Sequence, residues 1–416
     1  MKRLYFFTIF VILGFQLDII AQAQKNPKRF YIENLSKKSI TVPFKLINNL
    51  VVLTVKLNNS DTLNFILDSG ISNTLLTDPE IAAKLNLKLA KDIKLFGFGN
   101  GDALTATHSI ENEIRIQGIV GLHQDILVIS NPEFDFSRHL GVKIHGLLGY
   151  NLFRDLIIEI NYENKQISFH TPKTYVYKLK KKSTTIPITI VDSKPFVTAP
   201  IMQEDSTVVE GRFLIDSGAS FALWIDLESN PKYKIPSKTE PIYMGVGLGG
   251  EVFGRAGRIK QFGTGFMKLN NLIASYSDTN RVVEKNTNIE RNGSIGADLL
   301  SRFHVIFDYR NNKITFRPNS KWKEPFHVNL SGMEVCCPTP GKNAYTIASI
   351  TAKSPAENAG LKVGDLIENI NYQQVSELSL SEIHGLLLKK PYRKMLVQYR
   401  REGKLQSTTL LFKDCI

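Results

Sequence analysis

Asp68-Ser69-Gly70 and Asp216-Ser217-Gly218 lie 148 positions apart, each at the end of a short apolar run, NFILDSGISNTLL and RFLIDSGASFALW. A single carboxylate activates water poorly. Two brought together share one proton, so that one is a base and the other an acid at the same moment. A lone Asp-Ser-Gly is only a turn, since all three residue types favour turns. The surroundings of the two copies decide between these readings.

Those surroundings repeat. TVPFKLINNLVVLTVKL from Thr41 precedes the first copy, and TIPITIVDSKPFVTAPI from Thr185 precedes the second. Glycine-rich segments follow, LFGFGNG from Leu95 and MGVGLGG from Met244, with Gly97 and Gly245 each 29 positions after their Asp. Then come HGLLGYNLFRDLIIEINYENKQISF from His145 and NGSIGADLLSRFHVIFDYRNNKITF from Asn292, with Gly149 81 positions after Asp68 and Gly296 80 after Asp216. Landmarks recurring in one order at nearly fixed spacing mark a duplicated unit.

Each unit is built mostly of strands. VVLTVKL, NFILD, LIIEINY and KQISF are rich in β-branched and aromatic residues, and HVIFDYRNNKITF is a hairpin turning at Asn311-Asn312. Helices are short: one is capped by Asp78 with Pro79 and Glu80 in its first turn, and others are expected from Leu147 to Asp155 and from Ile295 to Arg302. Gly245, Gly247 and Gly250 spell G-x-G-x-x-G, but no strand-turn-helix unit surrounds them, which excludes a dinucleotide site.

The paired motifs FILDSG with GLLG and FLIDSG with GSIG resemble the retropepsin-like and pepsin-like aspartic proteases, over roughly residues 40 to 318. The resemblance implies a catalytic dyad of Asp68 and Asp216 holding one water and hydrolysing peptide bonds by general acid–base catalysis, with no metal or cofactor. It implies that Ser69 and Ser217 clamp the two loops across the lobes and that Gly70 and Gly218 give backbone N–H groups to the carboxylates. Gly97, Phe98 and Gly99, with Gly245, Val246 and Gly247, fall where that family has flaps over the substrate. The residue after each motif glycine is Ile71 or Ala219, where the acid-acting pepsins carry a hydroxyl. Losing that hydrogen bond to the ionised form favours an optimum nearer neutral pH.

From Pro325 the composition changes. YTIASITAKSPAENAGLKVGDLIENIN, SLSEIHGLLLKK and MLVQYRREGKLQSTTLLF resemble a PDZ domain over roughly residues 326 to 416. That resemblance implies a C-terminal peptide adding as a strand beside Gly332, Met333, Glu334 and Val335, with the helix from Ser381 as the other wall.

The expected fold is mainly β: two homologous lobes of a six-stranded type related by a pseudo-twofold axis, then a small α+β PDZ domain. Residues 24–176, 177–324 and 325–416 are the expected units. Lys2 and Arg3, an apolar stretch from Leu4 to Leu17, and Ala21-Gln22-Ala23 make residues 1–23 a signal peptide with Gln24 the mature start, so a periplasmic or secreted protein is expected. The chain carries a formal charge of +13, spread out except for Lys178, Lys180, Lys181 and Lys182 between the repeats. No basic stripe interleaved with aromatics is present, so nucleic acid is not an expected partner. No segment of the mature chain is long and apolar enough to span a bilayer. Cys336, Cys337 and Cys415 are too few and too localised for a disulfide framework, with free thiols and a bridge from Cys415 both open. The expected partner is a protein segment held extended in an interlobe cleft. The alternative is an envelope peptide-binding or scaffold protein that keeps the fold without turnover.

Overall fold

The computed structural model describes residues 28–99, 103–131, 135–177, 180–278, 290–388 and 394–412. The proposed signal peptide, Lys178 and Cys415 lie outside the described residues.

Local turn chemistry starts both lobes alike. Asn48 and Asn49 have φ of 48° and 68°, and Asp192 and Ser193 have 48° and 64°. Two consecutive positive φ values give a turn whose twist matches the flanking strands, and Asn and Asp tolerate it. The turns join Lys45–Ile47 to Leu50–Leu57 and Thr189–Val191 to Lys194–Met202.

Each lobe then folds around its own sheet, nine-stranded in the first lobe and eight-stranded in the second. Six strands is instead the size of a third sheet shared by both lobes. The lobe sheets exceed six because the long flap hairpins, Leu89–Leu95 with Leu104–Ile116 and Thr239–Gly247 with Gly250–Phe262, stay hydrogen-bonded to them. Arg29–Ile32 also adds an edge strand, pairing with Ile119–Ile129.

The shared sheet takes Ser39–Pro43, Ile157–Asn161 and Gln166–His170 from the first repeat and Thr184–Pro187, Phe303–Asp308 and Lys313–Pro318 from the second. Its central pair is antiparallel, with Ile158 opposite Phe307 and Ile160 opposite Val305. The hairpin from Phe303 turns through Tyr309–Asn311, and Asn312 takes the left-handed position at φ 49°. One apolar core runs through both lobes and this sheet. Phe153 and Phe307 are fully buried there with ring centroids 5.1 Å apart, so truncating either to Ala costs about 3–5 kcal/mol.

Helices are brief because tertiary packing, not propensity, holds them. Asp78 accepts from Glu80 N and Ile81 N at the start of Pro79–Lys84. The other two expected helices are shorter than the sequence suggests: Leu147 and Ile295 belong to strands, and the helices are Tyr150–Asp155 and Ala297–Leu300. Pairing with the Asp-bearing strands claims those first residues.

The C-terminal part has a separate core around Met333, Ile347, Ile367, Ile383 and Val397. Ser354 accepts from Glu357 N to cap Pro355–Asn358, and Gly360 follows at φ 76°. Its sheet order runs from an edge strand, Met333–Cys336, through Tyr345–Ile350, Leu366–Ile370 and Lys394–Arg401 to Lys404–Leu411. Cys336 and Cys337 are buried free thiols.

Candidate active site

The strands Leu63–Leu67 and Val208–Ile215 end at Asp68 and Asp216. Beside each runs a short parallel strand, Gly146–Leu148 or Gly293–Ile295, whose last carbonyl accepts from the Asp backbone: Asp68 N to Leu148 O and Asp216 N to Ile295 O, both 2.9 Å. A Cβ on Gly149 would stand 2.7 Å from Asn73 O, and one on Gly296 would stand 2.1 Å from Phe221 O. Only glycine lets these segments press against the Asp loops.

The loops are fastened crosswise. Ser69 Oγ accepts from Ser217 N at 3.0 Å and donates to Ile215 O at 2.7 Å. Ser217 Oγ accepts from Ser69 N at 3.0 Å and donates to Leu67 O at 2.8 Å. All of it is buried, and deleting one hydroxyl would orphan two backbone groups, a cost of about 2–4 kcal/mol. Gly70 N donates to Asp68 Oδ1 at 2.7 Å and Gly218 N to Asp216 Oδ1 at 3.1 Å.

The structure thus brings the Asp68 and Asp216 carboxyls together, each against the motif glycine of the other lobe and both lining one cavity. Burial raises Asp68 well above the usual carboxylate range, and the charge of Asp216 adds to this, against the Gly70 N–H and Lys194. Burial also raises Asp216, but Arg291, the Gly218 N–H and Lys194 oppose it. Lys194 and Arg291 were not singled out in the sequence. Lys194 occupies the place that Leu50 holds in the first hairpin, so repetition gave no signal for it. Arg291 lies over the Trp224 ring at 5.1 Å and donates to Gly293 O at 3.3 Å.

Above the dyad the glycine-rich tips meet. Gly249 N donates to Phe98 O at 3.0 Å, and the Phe98 and Trp224 rings are edge to face with centroids 4.7 Å apart. A Cβ on Gly97 would stand 2.4 Å from Leu248 Cβ, and one on Gly247 would stand 2.0 Å from Phe98 O. Gly245, with φ of 124° and nothing within 4 Å of an added Cβ, marks a bulge in its hairpin. Beneath these tips lies a cavity of about 1270 Å³ lined by both Asp residues and by Gly97, Phe98 and Gly245 to Gly247.

The cavity continues to the C-terminal part, where Glu334, Val335 and His384 line it. The sequence places an incoming peptide strand beside Gly332 to Val335. Around that edge the chain's own groups make several bonds. Met333 N donates to Ser331 Oγ at 3.2 Å, His384 Nε2 to Val335 O at 3.2 Å, and Cys337 N to Arg138 O of the first lobe at 2.8 Å. Burial raises Glu334 to about 8, with Asn329 opposing and the charge of Glu251 adding. Further bonds fix the contact: Gly341 N to Gly141 O at 3.0 Å and Asn48 N to Ser381 Oγ at 3.2 Å.

Residues 53–152 match the protein-family model described as aspartyl protease, and residues 346–401 match the PDZ domain model. Among solved structures, the aspartic proteinase from Irpex lacteus aligns over 69% of this chain and 99% of its own, at 16% identity and a TM-score of 0.46. The comparison with curated proteins gives no match. The chain is a mainly β protein with an aspartyl-protease-type domain toward its N-terminus and a PDZ domain at its C-terminus. Among the described residues no helix is long and apolar enough to cross a membrane.

Proposed function

We propose that the chain is an exported aspartic endopeptidase that hydrolyses peptide bonds with a water activated between Asp68 and Asp216. The observation carrying this is the contact of two carboxyls, one from each repeat, on the floor of a flap-covered cavity. The charge of Arg291 favours the ionised form of Asp216, so Asp216 is assigned the role of base and Asp68 that of acid. Asp216 takes a proton from water as the water oxygen bonds to the substrate carbonyl carbon. Asp68 gives its proton to the carbonyl oxygen. When the C–N bond breaks, the proton held by Asp216 goes to the departing nitrogen, and reformation of the carbonyl returns a proton to Asp68. The substrate lies extended beneath the two flap tips. Export rests on the basic and apolar opening of the sequence.

The test is cleavage of a denatured protein with and without a statine-type inhibitor. Asp68→Asn and Asp216→Asn are each expected to lose about 10²–10⁴-fold in kcat, the worth of a positioned acid or base. Variants that cleave as well as wild type would overturn the dyad mechanism, and a wild-type chain that cleaves nothing would leave a peptide-binding protein.

A further inference from the structure

The helix Leu380–Leu388 of the PDZ domain contains Gly385 in its interior. Glycine there costs about 1 kcal/mol against alanine, and nothing in its backbone requires it, since its φ is not in the left-handed region. Close packing demands the glycine at Gly70, Gly146, Gly218 and Gly296, which would all collide with a neighbour on gaining a Cβ, and a positive φ favours it at open positions such as Gly245. Gly385 has neither reason: outside its own helix backbone no atom lies within 4 Å of an added Cβ. That open space belongs to the cavity lined by Asp68 and Asp216, since Gly385 is among the residues lining it. The apolar residues Phe136, Leu140, Leu387 and Leu388 line that cavity too.

The helix does not hang free beside the lobes. Ser381 Oγ accepts from Asn48 N at the turn of the first lobe's opening hairpin. A Cβ on Gly141 would stand 2.8 Å from Leu380 Cβ, so the first lobe and the helix are in close contact. The rings of His139 and Tyr243 stack with centroids 6.4 Å apart, linking that part of the first lobe to the second lobe's flap. The helix is therefore held as a wall of the cavity, and its His384 bonds Val335 O of the PDZ edge strand.

We propose that this helix is the outer wall of the substrate cleft, and that the notch over Gly385 receives one large apolar side chain of the substrate, remote from the bond that is cut. The proposal rests on the peptidase reading above. Its occupant is a side chain of the extended substrate rather than a C-terminal peptide, because the notch opens into the dyad's cavity and His384 of the helix already bonds Val335 O of the strand-adding edge.

The test uses a set of fluorescein-labelled decapeptides with a fixed central Leu-Phe pair and a second Phe moved through the remaining positions of an alanine background. Binding is read by anisotropy on the full chain carrying Asp216→Asn, so bound peptide stays intact. One position is expected to bind about 10- to 100-fold tighter than the alanine parent, the effect of burying one aromatic side chain. Adding Gly385→Phe or Gly385→Leu fills the notch and is expected to erase that gain alone, with melting temperature unchanged or raised. A flat scan in the parent overturns the proposal, as does a scan that Gly385→Phe and Gly385→Leu leave unaltered or weaken equally at every position. Cleavage by the unsubstituted chain is measured in parallel. A position-specific loss without cleavage keeps the notch and removes the peptidase, and cleavage with a flat scan does the reverse.

Discussion

Gly218 of the second repeat faces the Asp68 carboxyl of the first so closely that a Cβ on it would stand 2.3 Å from Asp68 Cγ. Its counterpart Gly70 leaves 2.8 Å to Asp216 Cγ. Each motif glycine is required by the other lobe's acid. Gly218→Ala should therefore displace Asp68 from Asp216. Misplacement of a reacting group by about 1 Å costs on the order of 100-fold, so kcat should fall at least that far. Assays of kcat beside thermal melts would check this, with the fold expected to persist because the strain falls on a side chain.

The pH–rate profile follows from the dyad's surroundings. At low pH both carboxyls are protonated and no base is left. Burial raises both groups and so moves the acidic limb upward, while Arg291 and Lys194 draw it down. Arg291→Met should move the acidic limb to higher pH. Ala219→Thr, which supplies a hydroxyl beside Asp216, should move it to lower pH. An unchanged limb in Arg291→Met would show that its charge does not reach the dyad.

Stability should depend on pH through a cluster on the shared sheet. Burial would raise Glu159, but hydrogen bonds from His304 and Tyr175 and the nearby His170 outweigh it and hold it at about 2. A depressed carboxyl adds stability above its unfolded value near 4.5, and that stability is lost as pH falls toward 2. His170, lowered chiefly by burial, acts in the same direction, because protonating it below about 6.5 is easier in the unfolded chain. Melting temperature should fall as pH drops from about 6.5, and Glu159→Gln should flatten that fall between about pH 4.5 and 2, costing about 1–3 kcal/mol at neutral pH.

The flap tips give a prediction on binding. Gly247→Ala would put a Cβ 2.0 Å from Phe98 O and keep the tips apart. With closure impaired, kcat/KM should fall about tenfold or more, and the melting temperature should hold, since the contact lies at the ends of two hairpins. Steady-state kinetics on one peptide would suffice.

The repeat was legible because both Asp loops, both flap segments and both hydrophobic-hydrophobic-glycine segments carry short, ordered signals. The opposing hydroxyls of Ser69 and Ser217 follow from those signals and from the resemblance they support. Other parts were not legible. Lys194 and Arg291 have no counterpart at matching places in the first repeat, so repetition could not point to them. The bond from Cys337 N to Arg138 O depends on how two units pack, which periodicity within either unit does not encode. Leu147 and Ile295 look helical in their local context, but parallel pairing with the Asp strands claims them. Gly385 carries no local signal in the sequence, and what distinguishes it is open surroundings without a positive φ.

The shared sheet has a mechanical consequence. The two lobes are joined covalently through the segment that includes the exposed Lys180, Lys181 and Lys182, yet their central strands are hydrogen-bonded across the molecule from Ile158 to Asn161 and from His304 to Phe307. A trypsin nick among those lysines would cut the chain without separating its halves. The product would be a two-chain heterodimer with one aspartate of the dyad on each piece.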